Sequence, residues 1–214
     1  MLIDHRYGKE EGGAFKDDKL KYWQDRNCWI KDDDLFESVI EKIGALCESG
    51  NPYVYTIITG DSHNPFDDDR EPLHPITSYK LGEEMYHYYV SLQYTDREIE
   101  RLFDFLESKN RLENTTVLIA SDHSWTIAGS GCSGRDMQML IYNPVNRSDY
   151  RPKRVPQQIS IYPTLLWAMG IVDSTYMGLT PPMTSPRIEE FGEEELKEAS
   201  YLSELIQYNN LLAE

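Results

Sequence analysis

The stretch VLIASDHSW, Val117 to Trp125, runs apolar and β-branched and then ends on an acid and an imidazole side by side, Asp122 and His123. A strand has to leave a core somewhere, and polar residues mark that exit. In a parallel α/β sheet such residues have a second use, because ligands bind outside the carboxyl ends of the strands. Successive side chains alternate along an ideal strand, but the alternation breaks where strand becomes loop, so neighbours can converge on one ion. A carboxylate oxygen beside an imidazole nitrogen suits Zn²⁺ or Mn²⁺.

Working outward, the same arrangement recurs upstream. YVYTIIT, Tyr53 to Thr59, reads as a buried strand and stops at GDSHNPFDDDREPLHP, a loop rich in turn residues that carries His63. Two strand ends thus lead into loops holding both His and Asp. Before the first strand, LFESVIEKIGALCES places apolar residues at helical spacing, with Asp32 or Asp33 as the N-cap and Gly50 past the end. Between the strands, an amphipathic helix spans about Gly82 to Ser108, with Met85, Tyr88, Leu92, Ile99, Phe103 and Leu106 on one stripe. MQMLIYNP, from Met137, is a further strand closed by Pro144. SIYPTLLWAMG is a short helix capped by Ser160, with Pro163 in its first turn and Gly170 as its stop. A last helix runs from about Glu193 to Leu212.

Strands separated by long helices predict an α/β fold whose mainly parallel sheet, flanked by helices, contains Tyr53–Thr59, Thr115–Ala120 and Met137–Tyr142. The chain reads as a single domain over 1–214, with 1–26 and 174–190 irregular. Its 214 residues are 40% hydrophobic, ample for a packed core. Lys and Arg number 21 against 37 Asp and Glu, and the formal net charge of −16 argues against nucleic-acid binding through phosphates. Three cysteines without a CxxC pair give neither a disulfide framework nor a zinc ribbon. No apolar run is long enough to span a bilayer, and MLIDHRYGKEEGG is no signal peptide, so the chain is cytoplasmic or a piece of something longer.

Other polar residues have plainer readings. His74 lies in a loop, His87 on a helix face, His5 near the terminus, and Asp96 mid-helix as a solvated charge or a structural hydrogen-bonding group. Gly129, Gly131 and Gly134 in AGSGCSGRD lack the following GK[ST] of a phosphate-binding loop.

Four segments occur in a telling order: TIITGDSHNPF, the run from YVSLQYTDREIE to TTVLIASDHS, MLIYNP, and QQISIYPTLLWAMGI. Together they resemble the sulfatase and phosphoglycerol transferase branch of the alkaline phosphatase superfamily, lipoteichoic-acid synthase-like enzymes most of all. WIKDDDLF, Trp29 to Phe36, resembles a W-x-x-x-D-E-x-x-F segment of those enzymes. The resemblance implies an alkaline phosphatase-like fold represented by its C-terminal part. It implies that Asp122 and His123 hold a divalent metal, Mn²⁺ or Zn²⁺ first, with Ca²⁺ or Mg²⁺ as alternatives. His63 then contacts the phosphoryl or sulfuryl group of a phosphate- or sulfate-ester substrate. The chemistry implied is transfer or hydrolysis through a covalent intermediate whose nucleophile lies upstream of this chain, on the outer face of a membrane-anchored protein. Departures from the pattern are Ser124 where Gly usually follows Asp-His, no histidine after His123, Ser160 in place of Asp, and no C-x-P-x-R signature. They support the competing expectation of a non-catalytic remnant or binding domain that keeps the fold.

Overall fold

A computed structural model describes residues 31–63, 68–77, 82–121, 139–153, 158–175 and 178–208. They form four α-helices and two strands: α1 Asp32–Ser49, α2 Glu83–Ser108, β1 Val117–Ala120, β2 Met139–Tyr142, α3 Ile161–Ala168 and α4 Glu193–Tyr208. Short 3₁₀ turns occupy Leu112–Asn114, Gln158–Ser160 and Pro186–Glu190, the last within the stretch expected to be irregular. The described residues group into two compact units, one up to Glu113 and the other from Asn114 on.

The first unit is built on α1 and α2. Leu35, Phe36, Val39, Ile43 and Cys47 repeat at helical spacing on α1 and pack with Leu102 and Leu106 of α2. Gly50 closes α1 in the left-handed conformation, φ 69°, as the glycine stop predicts. The N-terminus differs from expectation. Lys31 is the N-cap, and Asp32 is the first helical residue, fully buried, with its carboxylate committed elsewhere. On α2 the predicted stripe is only partly the buried face: Leu106 is buried, but so are Val90, Ser91 and Glu98. Glu98 is tolerated there because Arg97 donates to its Oε1 at 2.7 and 2.9 Å and Arg101 donates to its Oε2.

Tyr53–Thr59 joins no ladder among the described residues, which corrects the strand expected there. The period of two is nevertheless present. Tyr53, Tyr55 and Ile57 pack against the helical core, whereas Val54 and Ile58 are exposed. The hydrophobic pattern fixes which side faces inward, but a strand also needs a backbone partner.

In the second unit the one ladder among the described residues is antiparallel, with Val117 opposite Tyr142 and Ala120 opposite Met139. The expected mainly parallel sheet is therefore not what these residues form. The two described strands pair directly, and the Val117–Tyr142 end of the pair is clasped by side chains. Thr116 Oγ1 donates to the Asn143 carbonyl at 3.0 Å, and Asn143 Nδ2 donates to the Thr115 carbonyl at 3.2 Å. Asn143 adopts φ 49°, a conformation asparagine accepts readily. The chain then docks on the end of α3, where Val145 and Asn146 donate backbone N–H bonds to the Ala168 carbonyl. Ser160 stands at the N-cap of α3, yet its hydroxyl bonds Thr180 Oγ1 at 2.9 Å rather than capping the helix. No helix among the described residues is long and apolar enough to cross a membrane.

Candidate functional site

The loop that follows Thr59 opens with a tight turn, in which the His63 N–H donates to the Gly60 carbonyl at 3.0 Å. His63 itself is exposed. What lies beneath the turn is a set of buried charges. Asp32 Oδ1 accepts the Gly60 N–H at 2.8 Å and the Asp61 N–H at 3.3 Å, and its Oδ2 accepts the Thr95 hydroxyl at 2.6 Å. The carboxylate is 0% exposed, so three donors stand in for the water it has lost.

The base of the loop is closed by one guanidinium. Arg70 Nη2 meets Asp61 Oδ2 at 2.5 Å and also bonds Asp68 Oδ2, while its Nε donates to Asp68 Oδ1 at 2.8 Å. Asp33 lies 3.7 Å from Nη1, and Lys31 lies 3.9 Å from Asp61. The guanidinium also covers the Tyr94 ring at 3.8 Å. These neighbours shift the acids in opposite directions. Burial and then the charge of Asp32 push Asp61 above the usual carboxylate range, with Arg70 and Lys31 only partly offsetting them. At Asp68 burial also pushes upward, but the side-chain and backbone hydrogen bonds of Arg70 outweigh it and hold the acid low. Arg70 is raised despite its own burial, by Asp68 and Asp61.

The descending arm is then strapped along α2. His87 Nδ1 bonds the Asp68 carbonyl, and Tyr94 donates its hydroxyl to the Glu71 carbonyl at 3.0 Å. The Gln93 side-chain amide bonds both the backbone N–H and the carbonyl of His74, each at 3.0 Å.

Of the residues predicted from sequence, His63 is thus placed on an exposed turn whose base is held by buried charges. Asp122 and His123 lie outside the described residues; β1 leads to them through Ala120 and Ser121, both exposed. Among the described residues no group of three His, Cys, Asp or Glu side chains could hold a metal ion. Asp32, Asp61 and Asp68 are already committed to amides, a hydroxyl and Arg70. Sequence reasoning missed Asp32, Asp61, Asp68 and Arg70 as a unit. The available signal was the acidic runs KDDD and DDDR with Asp61 between them, which read as a helix cap and a loop rich in turn residues.

A family model described as Sulfatase matches residues 8–171, a span that includes His63, Asp122 and His123. No curated protein and no solved structure matches the chain.

Proposed function

The chain belongs to the sulfatase family, and from that premise we propose that it is the C-terminal part of a metal-dependent phosphotransferase or hydrolase. Its substrates would be phosphoglycerol-type or sulfate esters, in the manner of lipoteichoic-acid synthase-like enzymes. The observation that carries this reading is the family match over the ordered motifs GDSHNPF, ASDHS and MLIYNP. The family generally uses divalent metal ions. Asp122 and His123 would hold the ion, and an oxygen and a nitrogen donor fit Mn²⁺ or Zn²⁺. When bound, such an ion polarises the transferred group and lowers the nucleophile's pKa. His63 would orient the phosphoryl or sulfuryl oxygens by donating a hydrogen bond from its imidazole. The proposed fold is the family's alkaline phosphatase-like α/β fold. The proposed location is the outer face of a membrane.

The nucleophile is assigned to a segment outside this sequence, so the chain by itself is expected to turn over neither class of ester. Calorimetric titration with Mn²⁺ and Zn²⁺ tests the assignment. Asp122→Ala and His123→Ala should each weaken uptake by more than about tenfold, since losing even an outer-shell partner of a ligand costs about 10–100-fold. His63→Ala should leave metal uptake intact while weakening inorganic sulfate or phosphate. Metal uptake unchanged in Asp122→Ala would sink the reading. Ser124 and the lack of any histidine after His123 favour the second reading, a non-catalytic domain that retains the fold. That reading expects no specific metal uptake in the wild type.

A further inference from the structure

Asp32 is a fully buried carboxylate with no part in the chemistry above, and its hydrogen bonds point at the loop that bears His63. We propose that Asp32 is a positioning residue for His63, acting through the single peptide unit that joins Gly60 to Asp61. This rests on the reading of His63 as the group that meets the substrate's anionic oxygens.

The geometry is a relay across one rigid plane. The N–H of Asp61 and the carbonyl of Gly60 belong to the same peptide, and in a trans peptide they point in opposite directions. Asp32 Oδ1 takes the N–H end at 3.3 Å, and the His63 N–H takes the carbonyl end at 3.0 Å. Fixing one end of the plane therefore fixes the backbone of His63 at the other. The neighbouring Gly60 N–H, also on Asp32 Oδ1 at 2.8 Å, ties the preceding peptide to the same oxygen. Thr95 on α2 holds the second carboxylate oxygen at 2.6 Å, so the anchor is tied to both helices of the unit. Asp61 and Arg70 then close the loop base from the other side. An exposed imidazole on a free loop would sample many positions. On this support its backbone has one, and misplacement by about 1 Å is enough to cost a reacting site ~100-fold.

The test uses the full chain and inorganic sulfate as probe, read by the nuclear magnetic resonance signals of the His63 imidazole, assigned with His63→Gln. Asp32→Ala should displace those signals toward free-loop values and weaken the sulfate response by about tenfold or more. Asp32→Asn keeps an oxygen for the two amides and should restore both the signals and the affinity to within about threefold. A destabilised but folded Asp32→Ala chain with unmoved His63 signals overturns the proposal, since a purely structural carboxylate predicts that outcome. Should Asp32→Ala not fold, wild-type amide exchange decides: the Asp61 and His63 amides should be protected together, and an Asp61 amide exchanging as fast as that of exposed Leu73 overturns the relay. A wild-type His63 that ignores sulfate removes the substrate-site reading instead. The relay is then still decided by the signals of the two variants.

Discussion

Arg70 holds together carboxylates that would otherwise oppose one another. Asp61 and Asp68 are each about as buried as a core leucine, at 8% and 2% exposure, and both bond the same guanidinium. Replacing Arg70 by alanine leaves two buried acids without their fork and is expected to cost roughly 3–5 kcal/mol in urea unfolding. Arg70→Lys should recover only part of that, because a point charge cannot serve both acids at once. A loss under about 1 kcal/mol for the alanine variant would mean the pairs are as solvated as ordinary surface ones. The acids themselves should separate by pH. Asp68 is lower in the folded chain, so its contribution is complete above the unfolded pKa of about 4 and is lost as pH falls through its folded value. Asp61 is raised, so the folded chain holds its proton more tightly. The stability this confers is present in acid and is lost as pH rises through the folded value. At neutral pH Asp61→Asn is therefore expected to be the milder substitution and Asp68→Asn the harsher, compared by denaturation midpoints. The reverse order would refute this account of the cluster. None of it was legible in DDDR, because which acid meets an arginine depends on the path of the loop and not on spacing.

Helices were far more readable than ladders. The start of α2, its end at Ser108 and the glycine after α1 follow from short-range spacing and backbone preference, which a sequence carries locally. The pairing of a strand is a long-range matter. Tyr53–Thr59 shows the right alternation and still has no ladder partner among the described residues, and β1 pairs with the strand that follows it. Glu98 was missed for a related reason: a charge inside an apolar stripe looks solvated until two arginines are found beside it. The helix stops offer a graded test. Gly50 has φ 69° and open space where a Cβ would go, so Gly50→Ala should cost about 1 kcal/mol, the backbone term alone. Gly170 has φ 73°, and a Cβ there would stand 2.9 Å from Val145 Cγ1, so Gly170→Ala adds a clash to the strain. Thermal unfolding should rank Gly170→Ala below Gly50→Ala, and Val145→Ala should relieve the difference when combined with the former. Equal losses at the two glycines would place Val145 away from the helix end.

At the scale of the whole chain, a net charge of −16 should make the folded state sensitive to ionic strength. Raising salt from about 0.01 M to 0.15 M shortens the screening length from about 30 Å to 8 Å and is expected to raise the unfolding midpoint. A midpoint that falls instead would mean that attractive pairs such as those of Arg70 dominate over self-repulsion. Both units carry a probe of their own in this and other unfolding experiments. Trp167 is buried at 8% exposure in the second, next to the Ala168 carbonyl that receives the chain after β2. Cys47 is buried at 6% in the first, on the α1 face that packs against α2, with its sulfur 3.5 Å from the Tyr53 hydroxyl. A thiol in that position reacts with an alkylating reagent only when the packing of α1 against α2 and Tyr53 opens. Its labelling rate, followed peptide by peptide in a mass spectrometer, is thus a clock for local opening of the α1–α2 core. It runs under native conditions, with no denaturant and no engineered label.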